Sequence, residues 1–258
     1  MKLVYCQQED FDARDRFLNC ALSLGRVPNQ GSCLASWALQ ASAVITDRYC
    51  IEQFGMSLSY VNSMNVISCC NGCVEDCSQD GNVENAFLYA MYYGVVASLL
   101  KPDACMSYFD SCLINGNLNQ DASFDVSFNP CKEREWDEIP KCVSGCQSPL
   151  PFRKIKIRGV EKIFDEKKMK DDIMANGPAA AEIDLYSDLI SYQTGVYSPS
   201  PNAFIVGKQT VKIVGWGSDN GTSYWLAVNS WGENWGLHGV VKIAEDANLV
   251  TEVWVPIF

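Results

Sequence analysis

The segment QGSCLASWAL, residues 30–39, places a thiol and a hydroxyl just ahead of an apolar run. Ser36 begins a stretch whose apolar residues recur at helical spacing, and the N-terminal end of a helix lowers the pKa of a nucleophile there. A serine hydroxyl attacks a carbonyl only when a neighbouring base takes its proton. The residues therefore raise the hypothesis of covalent catalysis by Ser36, provided that the chain also supplies a base.

The base is the component that this sequence supplies poorly. The chain has one histidine, His238, in the segment GLHGVV, which is typical of a surface turn at the foot of a strand. Lys208 is a second candidate, because Ser–Lys pairs also serve as nucleophile and base. Its neighbour Gln209 is a neutral amide and cannot take up a proton near pH 7. Because successive side chains of a strand point to opposite faces, only one of these two neighbours can face Ser36.

Helices early in the chain and strands late in the chain must position these groups. The spacing of apolar residues predicts helices over 36–49 and 82–93, and DEKKMKDDIMAN predicts a surface helix over 165–176 that ends before Gly177 and Pro178. Strand-like runs follow at 179–185, 211–214, 224–228 and 239–243, with the turn signal GSDNGT between two of them. This order predicts an α+β fold with a helical lobe, a β-rich lobe and a cleft between them.

Length and charge restrict the classes of function. The chain has 258 residues, of which 48% are hydrophobic, so a globular core is expected. The net charge of −11 argues against nucleic acid or an anionic membrane as the main partner. No apolar run approaches the roughly 18 residues of a membrane span. The apolar stretch in the first residues, MKLVYCQQEDFDARD, is too short for a signal peptide. The sequence therefore predicts a mature domain without its leader or propeptide.

Thirteen cysteines all lie within the first 146 residues. Such a density predicts a disulfide framework and an oxidising compartment. Zinc is the alternative, because CCNGC and KCVSGC offer close spacings, but the single histidine is distant and the spacings are not those of a standard finger. We therefore expect no metal and no cofactor. The number of cysteines is odd, so at least one thiol is free or pairs between chains.

Long ordered motifs resemble the papain-like cysteine peptidases, and the cathepsin B branch most closely. They run through nearly the whole chain: FDARD (11–15), QGSC (30–33), DRYCI (47–51), the Cys69–Cys70 pair, NGP (176–178), YSDL (186–189), GVY (195–197) and GWGSDNGTSYWLAVNSWGENWG (215–236). The cysteine-rich loop between 105 and 148 favours cathepsin B over the papain and cathepsin L branches. The resemblance implies one papain-like unit over 1–258, with a helical lobe over roughly 15–150 and a β-barrel-like lobe over roughly 151–258.

The resemblance also implies a disulfide pattern and the identity of the site residues. By order along the chain, the six bridges of cathepsin B become Cys20–Cys50, Cys33–Cys77, Cys69–Cys142, Cys70–Cys73, Cys105–Cys146 and Cys112–Cys131. Cys6 is left over and is a candidate for an intermolecular bridge. The family's oxyanion glutamine matches Gln30 and its orienting asparagine matches Asn229, with Trp231 beside it. Ser36 stands in the place of the nucleophilic cysteine, and Gln209 in the place of the histidine.

Other parts of the family's cleft also differ in this chain. The glycine-rich wall CNGG is replaced by CSQDG, so Gln79 and Asp80 add side chains where a substrate backbone pairs. The loop over 112–131 lacks the adjacent histidines with which cathepsin B holds a substrate's carboxyl end. The acidic residue of the second specificity pocket aligns with Val250. Trp37 and Trp231 are expected to complete the cleft.

These losses lead to one interpretation and one alternative. The interpretation is a catalytically inactive cathepsin B-like protein, secreted or in a lysosomal or vacuolar compartment, that captures a peptide or protein partner or serves an assembly. The alternative is a weak hydrolase that uses Ser36 with an unorthodox base such as Lys208. Asn220 begins the sequon NGT and is a candidate for glycosylation in a turn, where a plain Asn-Gly turn is the competing explanation.

Overall fold

The computed structural model describes residues 10–99, 105, 106, 108, 139–143, 145, 146 and 152–258. Cys6 and the whole of the loop over 112–131, with Cys112 and Cys131, lie outside the described residues. The described α-helices are α1 (Ala13–Arg16), α2 (Ala21–Leu24), α3 (Ser36–Glu52), α4 (Ser63–Cys69), α5 (Val83–Tyr92) and α6 (Glu166–Asn176). Short 3₁₀ turns are at Leu18–Cys20, Leu189–Ser191 and Glu245–Ala247.

The strands form two sheets. They are β1 (Phe11–Asp12), β2 (Tyr60–Val61), β3 (Val95–Ser98), β4 (Phe152–Ile155), β5 (Gly159–Ile163), β6 (Ala179–Tyr186), β7 (Val196–Tyr197), β8 (Ile205–Asp219), β9 (Thr222–Val228), β10 (Val240–Ala244) and β11 (Val250–Ile257). The larger sheet has the order β5-β11-β6-β8-β9-β10-β7, with β1 also on β8, and the smaller has the order β2-β3-β4. In the described chain, the terminal strands β5 and β7 do not pair, so the expected barrel-like lobe is an open sheet.

Helix α3 is the central helix, and residues on all its faces are buried. Trp37, Val44 and Ile45 belong to the helical core, as the apolar spacing predicts, while polar residues of the same helix are buried against the large sheet. A helix that is buried all round must find partners for its polar side chains. Those partners come from β8, β9, α6 and β11, so α3 is the element that joins the two lobes.

Two hydrophobic clusters form the cores of the lobes, and each takes residues from both halves of the chain. The helical cluster includes Ala180 and Trp254 from the second half. The sheet cluster includes Phe11 and Leu24 from the first half. The chain therefore crosses between the lobes at both ends. The mixed helix-and-sheet architecture predicted from the order of the elements is confirmed.

Strand β8 is longer than the run predicted over 211–214. It continues to Asp219 and returns through a two-residue turn, Asn220-Gly221, into β9. Both turn residues have positive φ, 51° and 84°, which is the backbone of a type I′ hairpin and the reason why glycine suits the second position. Asn220 is exposed, so the predicted hairpin turn is confirmed, and its glycosylation stays a prediction.

Five disulfides hold the first half of the described chain together. The structure joins Cys20 to Cys50, Cys33 to Cys77, Cys69 to Cys142, Cys70 to Cys73, and Cys105 to Cys146. These are five of the six pairs that the family resemblance implies. The sixth, Cys112–Cys131, lies outside the described residues.

None of the described helices is long and apolar enough to cross a membrane. The described His, Cys, Asp and Glu side chains form no group of three or more that could hold a metal ion.

Candidate active site

The residues that the resemblance assigns to catalysis meet at the junction of α3 with the large sheet. Ser36 is the first residue of α3, Gln209 lies in β8, and Asn229 follows the last residue of β9. Gln30 precedes α3 and is fixed by its backbone N–H, which donates to the carbonyl of Ser230 at 2.8 Å. All five side chains are buried, with exposed fractions between 0% and 6%. The site is thus a closed polar cluster.

The amide of Gln209 is the centre of this cluster. Its Nε2 lies 2.8 Å from Asn229 Oδ1, 3.0 Å from Gln30 Oε1 and 3.0 Å from Ser230 Oγ. The Ser230 hydroxyl also donates to Gln30 Oε1 at 2.6 Å. Four buried polar side chains are therefore joined by hydrogen bonds of neutral groups, as the cost of an unpaired buried amide requires. The predicted contact between Gln209 and Asn229 is present.

Ser36 contacts the strand next to Gln209 through its hydroxyl. Ser36 Oγ accepts a hydrogen bond from the backbone N–H of Thr210 at 3.1 Å. The Ser36 oxygen therefore satisfies a backbone N–H of β8. No side chain among the described residues accepts the Ser36 proton, which a serine nucleophile requires.

The role of Lys208 as a base is contradicted by the geometry. In β8, Lys208 and Gln209 point to opposite faces, and the Lys208 side chain is about half exposed. Its ammonium group forms an ion pair with Glu182, and the hydrogen bond to that carboxylate raises the pKa of Lys208. A charged ammonium on the outer face cannot take a proton from Ser36.

The side chain of Gln30, which matches the oxyanion donor of the family, already forms hydrogen bonds within the protein. Gln30 Nε2 donates to the carbonyl of Cys33 at 3.1 Å, and its Oε1 accepts from Gln209 and Ser230. An oxyanion hole requires donors that point at the developing charge. In this arrangement the Gln30 amide stabilises the loop ahead of α3.

Asn229 and Trp231 keep the positions expected of them. The Asn229 backbone N–H donates to Gly239 at 2.9 Å, and its Oδ1 accepts from the Ser230 N–H at 2.8 Å. Its Nδ2 is buried and has no partner among the described residues. Trp231 is half-buried and packs edge-on against Trp235 with ring centroids 4.9 Å apart.

His238 lies on the surface, in the turn just before β10. It is exposed, adopts a positive φ of 53°, and forms no hydrogen bond with Gln30, Ser36 or Asn229. The predicted surface-turn position of His238 is confirmed.

Trp37 does not line an open cleft, contrary to expectation. It is 1% exposed because the chain at Gly81 lies directly over its ring. A Cβ at Gly81 would stand 2.4 Å from Trp37, so only glycine fits there. The wall loop is further fixed by the disulfide Cys33–Cys77 and by the Leu34 N–H, which donates to the Cys77 carbonyl at 2.9 Å.

Gln79 and Asp80 are exposed on this wall, as predicted. Gln79 Oε1 accepts from the Glu75 N–H at 3.0 Å. Asp80 is exposed, but its carboxyl group is partly shielded from water. This desolvation and the nearby charge of Glu182 raise the pKa of Asp80 to about 6, while the charge of Lys208 acts in the opposite direction. Asp80 therefore lies within electrostatic reach of Glu182 on β6 and Lys208 on β8.

Val250 lies on the opposite wall and is half-buried. It pairs with Ile183, which in turn pairs with Gln209, so Val250 is two strands away from the buried cluster. Glu182, beside Ile183, brings a carboxylate to this wall and also accepts from the Thr251 hydroxyl at 3.5 Å. Glu182 and Ser230 are the two site residues that sequence reasoning missed; Ser230 was readable as the residue between Asn229 and Trp231.

We expect Asp80→Asn to stabilise the protein at neutral pH and to have little effect at low pH. The pKa of Asp80 is raised from 3.8 to about 6, so the fold favours its protonated form and loses stability as pH rises through 6. Asparagine removes this loss. Thermal unfolding between about pH 4 and pH 8 measures the difference in Tm, which should grow as the pH rises from about 4 to about 7.

Asp76→Asn is the matched control on the same loop. Hydrogen bonds from the hydroxyl and N–H of Ser78 lower the pKa of Asp76, so this substitution should lower Tm at neutral pH. A shift of the same sign in both variants would contradict the assignment of Asp80.

Comparison with known proteins identifies the family of the chain. The family described as papain family cysteine protease matches residues 7–255. The chain is 33% identical over 255 residues to a cathepsin B-like cysteine proteinase 5 of Caenorhabditis elegans, covering 93% of this chain and 70% of that protein. It is 31% identical to a cathepsin B-like cysteine proteinase of Schistosoma japonicum, covering 90% of this chain and 67% of that protein.

A solved structure shows the same relationship. Procathepsin B S9 from Trypanosoma congolense superimposes with a TM-score of 0.77 and 27% identity, covering 97% of this chain and 78% of that chain. The match spans both lobes and includes the segments that carry Ser36 and Gln209. With its two-lobe α+β architecture, the chain therefore belongs to the papain family of cysteine proteases and to its cathepsin B-like members.

Proposed function

We propose that this protein is a catalytically inactive cathepsin B-like protein that acts by binding a peptide or protein segment. The observation that carries the proposal is the Gln209 amide, which takes up the hydrogen bonds of Gln30, Asn229 and Ser230. Acyl transfer in this family needs a group that accepts and returns a proton beside the nucleophile. An amide does neither near neutral pH.

The burial of the cluster supports the same proposal. Ser36 is 2% exposed, and Gln209 is 4% exposed, so a substrate carbonyl has little access to either side chain. The alternative of a Ser36 hydrolase with Lys208 as base has no observation in its favour, since Lys208 faces away and pairs with Glu182.

The remaining cleft offers a surface for binding. Gln79 and Asp80 are exposed, and Asp80 lies close enough to Glu182 and Lys208 to feel their charges. Such polar groups along a groove suit a peptide or protein partner by hydrogen bonds and charge complementarity. The five disulfides support a secreted protein or one in a lysosomal or vacuolar compartment. Cys6 is a further candidate for a bridge to a second chain.

Active-site labelling tests the proposal directly. We expect the wild-type protein to stay unmodified by a fluorophosphonate and by an epoxide peptide probe, and to leave dibasic and Phe-Arg peptides intact between about pH 4 and pH 8. Intact mass spectrometry and peptide fluorescence are the measurements. The control is Ser36→Ala, which should behave like the wild type. Turnover in the wild type that disappears in Ser36→Ala would refute catalytic inactivity.

A further inference from the structure

A phenylalanine occupies a backbone position at the end of α3 that glycine normally takes. Phe54 has a φ of 53°, and its N–H donates to the Ile51 carbonyl at 2.9 Å. The next N–H, of Gly55, donates to the Cys50 carbonyl at 2.9 Å. These bonds form a Schellman motif, in which the residue at the place of Phe54 is usually glycine because the left-handed backbone is unfavourable for bulky residues. Phe54 is 80% exposed, so burial within the described chain does not explain its presence there.

An apolar groove of about 710 Å³ opens beside Phe54, at the C-terminal end of α3. Leu18 and Ile257 line the groove and are 73% and 43% exposed. Further apolar lining comes from Phe17, Ile51, Pro256 and Phe258. Single exposed apolar residues are common on protein surfaces, whereas several around one groove indicate a binding surface. Ser36 is at the other end of α3, roughly 20 Å away along the helix, so the groove is separate from the candidate active site.

The charged side chains that line the groove balance one another. Arg16 and Glu52 are exposed, and neither forms an ion pair within the described part of the chain. Arg48 and Asp172 also line the groove and form an ion pair with each other. The surface around the groove is therefore neutral, although the chain has a net charge of −11. We refer to the groove, together with the exposed residues that line it, as the Phe54 face; these residues are Arg16, Leu18, Glu52, Phe54 and Ile257.

We infer that the Phe54 face joins two copies of this chain about a two-fold axis. A two-fold interface places one patch against itself, so the patch must be complementary to itself. The exposed Phe54 ring stands beside an apolar groove, so each copy can insert its ring into the groove of the other. Arg16 and Glu52 line the same groove with opposite charges, so each arginine can pair with the glutamate of the second copy.

The net charge of the chain favours this face over others for self-association. Two copies with a charge of −11 each repel one another, and the repulsion is least where the surface that they share is neutral. The interface lies at the end of α3 opposite Ser36, so the cleft of each copy stays open. The inference therefore does not depend on the function proposed for the cleft.

The variant Phe54→Gly separates association from folding. Glycine suits a φ of 53°, so we expect a higher Tm for the monomer, measured by thermal unfolding at low protein concentration. We expect the association constant to fall about 30-fold or more, as for an aromatic residue at the centre of an interface. Sedimentation equilibrium measures the association. The control Phe164→Ser removes another exposed phenylalanine and should retain wild-type association. Full association in Phe54→Gly, or an equal loss in both variants, would overturn the inference.

Charge reversal tests the two-fold arrangement itself. Arg16→Glu and Glu52→Arg should each lower the association constant at least about tenfold, because like charges then face one another. A mixture of these two variants should form a heterodimer close to wild-type affinity, because both contacts then join opposite charges again. Lys167→Glu and Asp171→Lys make the same changes of charge outside the Phe54 face and should leave association unchanged. A mixture of the first two variants that stays monomeric would overturn the pairing.

The wild type provides the remaining outcomes. We expect a monomer–dimer equilibrium at protein concentrations up to about 100 µM, a range that detects micromolar Kd values. A protein that stays monomeric throughout would overturn the inference, and so would a monomer that binds phosphatidylcholine vesicles through Phe54. Non-reducing electrophoresis identifies a covalent dimer through Cys6. If such a dimer accounted for all the association, and persisted in Phe54→Gly, the Phe54 face would not be the interface.

Discussion

The double variant Ser36→Cys/Gln209→His will carry a thiol whose ionised fraction at about pH 6 is about 300-fold that of the thiol of Ser36→Cys alone, and which is alkylated faster even though each low-pKa thiolate is less nucleophilic. A free thiol with a pKa near 8.5 is about 0.3% ionised at that pH, whereas a thiol beside an imidazolium has a pKa near 4 and is fully ionised. Gln209 comes one residue before Thr210, whose N–H donates to Ser36, so an imidazole at 209 faces the same buried cluster and can bond to Asn229. Rates of reaction with iodoacetamide measure the effect.

Ser36→Cys/Lys208→His is the control for this prediction. Lys208 faces the outer side of β8, so a histidine there should leave the thiol as slow as in the single variant. We expect peptide hydrolysis by the first double variant to remain below that of active relatives, because Gln79 and Asp80 still stand on the wall. Equal activation by either histidine would refute the register of β8.

Asp47→Ala is expected to lower the free energy of unfolding by about 3–5 kcal/mol. Asp47 of α3 and Lys212 of β8 are both 0% exposed, and Lys212 Nζ donates to Asp47 Oδ2 at 2.7 Å and to the Leu24 carbonyl at 3.1 Å. Removal of the carboxylate leaves a buried ammonium with one neutral acceptor. Urea denaturation at about pH 7 measures the loss.

The matched variant is Asp47→Leu/Lys212→Met, which replaces both charges with apolar groups. We expect it to lose much less stability than Asp47→Ala, because a buried ion pair gains little over its desolvation cost. Desolvation raises the pKa of Asp47, so the loss in Lys212→Met should shrink on acidification as the carboxyl becomes protonated. A double variant as unstable as the single one would contradict this account.

The types of the main elements could be predicted because their boundaries carry local signals. Asn82 and Asp165 cap α5 and α6 with side-chain oxygens that accept from Glu84 and Lys168, as residues of these types do at helix starts. The predicted helices over 82–93 and 165–176 agree with the structure within one residue at each end. Helix capping of this kind involves residues only two or three positions apart, so it can be recognised in the sequence.

The length of β8 and the burial of Lys212 could not be predicted in the same way. Gly207, Lys208 and Gln209 interrupt the apolar pattern, yet they are held in the strand by backbone pairing with β6. Lysine is rarely buried, and its partner Asp47 is 165 residues away. The buried cluster around Gln209 could be predicted only from the family resemblance. No local sequence pattern marks Gln209 as a residue of the site.

The bonds of Gln209 have a consequence for evolutionary reversal. Its Nε2 serves Gln30, Asn229 and Ser230 together, so a substitution at 209 disturbs three buried partners at once. A return of the thiol first would give a nucleophile without a base, and a return of the imidazole first would break these bonds without restoring chemistry. Neither intermediate gains activity, and the second loses stability. Under the proposed loss of catalysis, a thiol and an imidazole would therefore have to arrive together to give a nucleophile with its base.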